Sequence, residues 1–462
     1  MSHGTDSSRA VSIQLPAGPH ATEVCRDFYD AVNAEWTAKT QLPVDSSDTT
    51  QAFHTKFDTI SINNFGIVAK DVRRTLIAIL TDARVNAATT RDPVTRVLGM
   101  FYNSCLIAPR TDSGPHSREK DGGVGRCVAA TDEILGDALG RAYVTRVITP
   151  DVITRVRATA DQLRATMAIR IRAIPWMSEE TKKAALVKLA AMRFRVGNTE
   201  LDSVYTQLVL SPTDYAGNEV KARYVMYQHS LAQRGRMSDK NSWRFRQYTT
   251  NAQYIPGENA IEVPAVLFQE PYFNPHADAV ENYAGLFAIV GHEVTHAFDT
   301  NGAQYDSSGD VRNWWTDQDR ERFLAQARKL VEQYDQFPVG DLHVDGAATV
   351  NENIADLGGV NLAFDMYMRS IRSRDQRRGR ASSAQRGRAM TPEQRFFVAY
   401  AAIWRAKSSP LHERQLLAID SHSPHKWRVN GILANLPAFA KAFGCKPGDP
   451  MALAPAARAE IW

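Results

Sequence analysis

His292, Glu293 and His296 follow the order His-Glu-x-x-His within ENYAGLFAIVGHEVTHAFDT, residues 281–300. Leu286, Ile289, Val290 and Val294 supply an apolar face and no proline interrupts, so the stretch predicts one helix over 281–300. Residues four apart leave the same helix face. Both imidazoles could then grip one metal ion while Glu293 faces a water bound to it, the chemistry of a zinc hydrolase. The plainer reading is two histidines on an ordinary amphipathic helix.

A second segment, ENIADLGG (352–359), begins 56 residues beyond His296. Glu352 and Asp356 are again four apart, two carboxylates on one helix face, and the Gly-Gly pair predicts a helix terminus there. A catalytic zinc takes three protein ligands and keeps a fourth position open. Glu352 completes the set with His292 and His296. Asp356 is placed to accept the free ring N–H of one ligand histidine and so fix its tautomer. A solvated acidic helix face is the competing reading.

The residues now resemble a known family. GHEVTHAFD followed by VNENIADLGG is similar to the neprilysin and endothelin-converting-enzyme family of zinc endopeptidases. TTNAQYIPGENAIEVPAVLFQEPYF (249–273) resembles that family's substrate-binding strand and following loop. DSHSPHKWRVNGILANLPAFAKAFGCKPGDPM (420–451) resembles its C-terminal signature, and CRDFYDAVNAEW (25–36) its entry segment. The likeness covers nearly the whole chain, in order.

The resemblance implies a mainly α fold with a small β-sheet (α+β), a thermolysin-like zincin catalytic domain plus a reduced helical second lobe. It implies one Zn2+ held by His292, His296 and Glu352, with Glu293 as general base. It makes His422 the donor to the oxyanion, with His425 a less well placed competitor. Asn251 and Ala252 are expected to bind the peptide main chain, and Arg428 substrate carbonyls, the other readings being a turn or cap residue for Asn251 and a structural ion pair for Arg428. Leu267, Tyr272, Ala288, Ile289, Ile403 and Trp404 are the expected apolar lining beyond the scissile bond, with core packing the alternative for each. Peptides are the implied substrates, cut on the amino side of large apolar residues. A catalytically weak peptide-binding or scaffold protein descended from such enzymes is the rival function.

The elements that must position these residues follow from pattern. Helices are predicted from Phe28 onward, over 60–85 and 94–106, within 128–172 with a break near Pro150, over 178–194 with Ser178 as N-cap, and over 395–404. Between Cys105 and Cys127, where the family carries a long helical segment, only a polar Gly-rich linker remains. This predicts a catalytic lobe from 21–105 and 245–462, a truncated second lobe and connectors over 106–244, a flexible N-terminus over 1–20, and a cleft more open than the family's. Residues 369–392 hold eight arginines and one acid, Asp375, and predict a disordered basic loop.

Composition excludes other classes. At 462 residues with 44% hydrophobic and 23% charged content, the chain matches an ordinary globular protein. A net charge of +4 does not call for nucleic acid. No run of 18 apolar residues predicts a membrane span, and residues 1–20 lack a signal peptide's apolar core. The family works in secreted or membrane-anchored form, so an extracellular or membrane-associated place is implied, with a cytoplasmic one the alternative. Monomer and homodimer both stay open. By the resemblance Cys25 joins Cys445 and Cys105 joins Cys127, against four reduced thiols in a cytosolic protein. Where the family has further cysteines, this chain carries Asn33 with Arg405 and Lys329 with Ala459.

Overall fold

Proline and short polar side chains set the helix starts. α1 (Phe28–Lys39) opens behind Asp27, whose side chain accepts the Asp30 amide. After strand β1 (Ser61–Asn63) come α2 (Asn64–Asn86), α3 (Pro93–Ile107), α4 (Val124–Val147) and α5 (Pro150–Ala173). Pro93 and Pro150 stand in the first turn of their helices, where the missing N–H has no helical partner to lose. α6 (Glu179–Ala191) is capped by Ser178, with Glu179 and Glu180 in the positive first turn. These features belong to a computed structural model that describes residues 22–42, 61–109, 123–197, 203–233, 243–377 and 390–462. The expectations for residues 1–20, and for 378–389 of the basic stretch, lie outside the described residues.

The chain continues through β2 (Arg193–Val196), α7 (Tyr215–Gln233), β3 (Gln253–Ile255), β4 (Ala260–Val263), α8 (Ala279–Asn282), α9 (Ala288–His296) and α10 (Asp317–Tyr334). It closes with β5 (Pro338–Val339), β6 (Leu342–His343), α11 (Gly346–Arg377), α12 (Pro392–Ile403), β7 (Ala406–Ser408), α13 (Pro410–Ile419), α14 (His425–Leu433) and α15 (Pro437–Phe443). The mainly α fold with small sheets is therefore as predicted. β4 is the centre of a three-stranded sheet, parallel to β2 and antiparallel to β3, with Phe194 and Tyr254 both opposite Ile261. β3 is thus an edge strand. One hydrophobic cluster runs from Val24 to Trp462 and takes in Leu80, Phe101, Leu286, Phe397 and Phe439, each fully buried. Each such side chain contributes roughly 1.5–3 kcal/mol relative to exposure. Among the described residues no helix is long and apolar enough to cross a membrane.

Four sequence expectations need correction, the first being the helix predicted over 178–194, which ends at Ala191 with Arg193–Val196 forming β2 instead. The helix predicted over 281–300 contains a π-turn, Tyr283–Phe287, between α8 and α9, and it ends at His296. The Leu286 amide leaves the helical ladder for the Tyr272 carbonyl at 2.9 Å, which accounts for the extra residue in the turn. The Gly358–Gly359 pair does not end a helix, because α11 runs on to Arg377. A Cβ on Gly359 would lie 2.6 Å from both the Ala288 carbonyl oxygen and the His292 nitrogen. The glycines let α9 and α11 touch backbone to backbone. The basic stretch also starts as helix rather than loop, since residues 369–377 belong to α11.

Both cysteine pairs are joined, Cys25–Cys445 and Cys105–Cys127, with no free cysteine among the described residues. At one position without a bridge, Lys329 Nζ donates to the Arg458 carbonyl at 3.0 Å, one residue from Ala459.

Candidate metal centre and active site

The α9–α11 contact brings together the residues that the two motifs named. His292 Nε2 and His296 Nε2 are 2.9 Å apart, and Glu352 Oε2 lies 3.1 and 3.4 Å from them. Each ring is anchored on its outer nitrogen. His292 Nδ1 meets Asp356 Oδ1 at 2.7 Å and His296 Nδ1 meets Asp299 Oδ2 at 2.7 Å. A nitrogen facing a carboxylate carries the proton, so neutral rings turn bare Nε2 lone pairs toward each other. Two lone pairs and a carboxylate oxygen then converge on one point. Such a cluster repels itself unless a cation or extra protons lie between its members.

The electrostatics agree. Glu352 Oε2 is buried and accepts no well-formed hydrogen bond. Burial alone would raise its pKa, but the three nearby imidazoles hold it far below the usual carboxylate range. Burial would lower His296, but Asp299 and Glu352 hold it well above the usual histidine value. Two imidazole nitrogens and one carboxylate oxygen, with both outer ring nitrogens hydrogen-bonded, match the donor set and outer partners of a catalytic zinc. The residues fit the ion.

Other predicted residues fall around this point. Glu293 is buried on α9 between the two histidines, and its charge acts on His296. His422 Nε2 stands 3.0 Å from Glu352 Oε2, while Nδ1 donates to Asp420 Oδ1 at 2.8 Å. Burial and Arg428 push His422 down, yet Asp420 and Glu352 outweigh them and hold it up at about 9. His425 turns away and donates Nδ1–H to the Trp404 carbonyl at 3.0 Å. Burial, reinforced by Arg428, pushes it down to about 4.

Arg428 grips Asp356 with two nitrogens, at 2.7 and 2.8 Å. Its guanidinium also lies over the Trp404 ring, 3.8 Å from the centroid. A relay thus runs from His292 through Asp356 to Arg428, and the guanidinium holds Asp356 well below the usual carboxylate range despite burial. Asn251 is exposed and Ala252 buried, immediately before edge strand β3. Leu267, Tyr272, Ala288, Ile289, Ile403 and Trp404 are all buried.

Sequence reading missed several contributors. Asp299 anchors His296, and its other oxygen accepts the Asn301 and Gly302 amides. The signal was present as an acid three residues beyond His296. Phe65 packs against Tyr272 and Trp404, with centroids 5.2 and 5.9 Å away, from a distant part of the chain. Ser423 donates to Asn353 at 2.8 Å and ties the His422 loop to the helix carrying Glu352. Lys188 Nζ donates to the carbonyls of Ala297, Gly302 and Tyr305. Burial pushes Lys188 down to about 7 against the pull of Asp299 and Asp306, and three carbonyl acceptors favour its ammonium form.

Two models described as Peptidase family M13 match the chain, over residues 251–459 and 110–199. Membrane metallo-endopeptidase-like 1 of Mus musculus is 33% identical over 350 residues, 73% of this chain and 45% of that protein. Endothelin-converting enzyme 1 of Homo sapiens is 31% identical over 343 residues, 73% of this chain and 44% of that protein. Among solved structures, Mycobacterium tuberculosis zinc metalloprotease ZMP1 with an inhibitor aligns with a TM-score of 0.65 at 34% identity, covering 82% of this chain and 56% of that one. PepO from Lactobacillus rhamnosis aligns with a TM-score of 0.64 at 29% identity, covering 83% and 56%. The chain spans about half the length of the curated relatives it matches. Motifs, geometry, family models and relatives agree: this chain belongs to peptidase family M13, the neprilysin and endothelin-converting-enzyme family.

Proposed function

We propose that the chain is a zinc-dependent endopeptidase or oligopeptidase. The observation that carries this reading is the convergence of His292 Nε2, His296 Nε2 and Glu352 Oε2, three acceptors with Asp356 and Asp299 fixing both rings from behind. Those three residues would hold the zinc, which when bound supplies Lewis-acid polarisation of the scissile carbonyl and a water of lowered pKa. Glu293 takes the attacking water's proton and returns it to the leaving amine. His422, with Asp420 accepting at Nδ1, is placed to donate from Nε2, in its imidazolium form, to the developing oxyanion.

Asn251 and Ala252, beside the open edge of β3, hydrogen-bond the peptide main chain in strand fashion. Arg428 steadies Asp356 with two nitrogens and offers its third toward a substrate carbonyl. The apolar layer around Tyr272, Trp404 and Phe65 favours a large apolar residue after the cut bond. The catalytic lobe comprises 21–105 and 245–462, with 106–244 as a reduced second lobe, although β2 from that interval completes the catalytic sheet. Two disulfides fit an oxidising, extracellular or membrane-associated setting.

The test is zinc content by mass spectrometry together with cleavage of a quenched fluorescent peptide library by the purified chain. About one zinc per chain and cleavage that Glu293→Gln abolishes without loss of zinc are expected. Zinc bound with no library peptide cut would instead mark a peptide-binding protein.

A further inference from the structure

We propose that Lys188, on α6, is a positioning residue for the metal site: it locks the turn that carries Asp299 and thereby sets the ring of His296. The inference rests on the zinc-site reading above. Lys188 Nζ donates to Ala297, Gly302 and Tyr305 carbonyl oxygens at 2.7, 2.6 and 2.7 Å. Ala297 follows ligand His296 directly, so the lysine grips the chain where α9 ends. Gly302 is held from both sides, its carbonyl by Lys188 and its amide by Asp299 at 2.6 Å. Asp299 Oδ2 in turn faces His296 Nδ1 at 2.7 Å.

The surroundings show why a lysine is there. Its side chain is buried, with the residue 1% exposed, and the rings of Tyr254, Phe298 and Trp314 surround the ammonium at 5.7–5.9 Å. Three carbonyls take the place of water and match the ammonium's three donors. Burying a charge is costly even so, and an apolar side chain would fill the same space without that cost. What the lysine adds is geometry, one point bonding three carbonyls of a turn whose own backbone bonds form only a short 3-10 helix, Gly302–Gln304. Its anchor is firm as well. The Lys188 carbonyl accepts from Asn259 Nδ2 at 2.9 Å, and the same amide donates to Ser307 at 3.1 Å. Asn259 occupies the β3–β4 turn at φ 44°. The edge strand and the metal turn are thus braced through one residue.

The experiment measures the zinc dissociation constant of the full chain by competition with a chromophoric chelator, alongside the apo-protein's melting temperature. Lys188→Met should weaken zinc binding about tenfold or more, within the range seen for partners behind metal ligands. Leu189→Ala, at a buried neighbour on the same helix whose side chain has no polar atom to bond the turn, should lower the melting temperature and leave zinc affinity within about twofold. If Lys188→Met does not fold, Lys188→Gln is measured against the same control, with a loss of about threefold or more expected. Wild-type protein that takes up no zinc overturns the metal-site reading itself. Wild-type protein that binds zinc, with the folded Lys188 variant within about twofold of it or no weaker than Leu189→Ala, overturns the positioning role alone.

Discussion

Asp299 does for His296 what Asp356 does for His292, and the two acids are supported differently. Asp356 is charge-paired with Arg428, whereas Asp299 is held by backbone amides at the end of α9. Asp299→Ala should therefore free the His296 ring and weaken zinc binding about 10–100-fold, measured by chelator competition. Asp299 was hard to read because the apolar pattern carried the predicted helix on to Thr300. The helix ends at His296, where Asp299 accepts the amides of Asn301 and Gly302 and Lys188 donates to the carbonyl of Ala297. His422→Phe should lower kcat by roughly 10²–10³ while zinc stays bound, since it removes an oxyanion donor and no metal ligand. His425 gives a pH-dependent prediction. Its folded pKa, about 4, lies below the ordinary histidine value of 6.5, so the unfolded chain takes up the proton first. Stability is then lost as pH falls from about 6.5 to about 4, and no further below that. His425→Asn, which can still donate to the Trp404 carbonyl, should reduce the difference in unfolding free energy between pH 6.5 and 4.5 by about 2 kcal/mol. Urea titrations at the two pH values provide the check.

At the scale of elements, the site depends on how closely α9 and α11 approach. His292, Glu293 and His296, together with Glu352 and Asp356, were legible because four-residue spacing on a helix reports a shared face without knowledge of the fold. The distance between the helices was not legible. A glycine pair serves equally well as a helix stop or as a contact surface, and only the partner backbone, 67 residues away between His292 and Gly359, decides which. Strand β2 was hidden likewise: Arg193–Val196 follow α6 with one residue between, and they become a strand by pairing with Ala260–Val263. Gly359→Ala tests the packing argument. The new methyl would lie 2.6 Å from the Ala288 oxygen and the His292 nitrogen, both main-chain atoms that no rotamer change can move. Parting the helices should cost about 1–3 kcal/mol, seen as a lower urea midpoint. The same displacement pulls Glu352 from the two imidazoles, so zinc affinity should fall with stability.

At the scale of the whole molecule, the first and last described segments are fastened together. Cys25 and Cys445 are joined across a sequence separation of 420, and Cys105 and Cys127 across 22. The first link is reinforced by polar contacts: the Tyr29 amide donates to Asn430, and Lys426 bonds Asp30 at 2.6 Å. α1 is thereby held against α14, the helix that carries Arg428. Both pairings were legible only through family likeness, since spacing alone allows three connectivities for four cysteines. In the chain-entropy account a longer closed loop restrains the unfolded state more, giving about 6 kcal/mol for the long link and about 3 for the short one. Cys25→Ala with Cys445→Ala should therefore lower the denaturant midpoint more than Cys105→Ala with Cys127→Ala. The metal site gives the contrast. His292, His296 and Glu352 are brought together by α9 and α11, to which neither disulfide belongs. Zinc affinity at low denaturant should consequently be unchanged in both double variants. A loss of affinity in the Cys25–Cys445 pair would instead mean that α14 transmits its position through Arg428 and Asp356 to His292, and that the outer fastening of the chain helps to shape the centre.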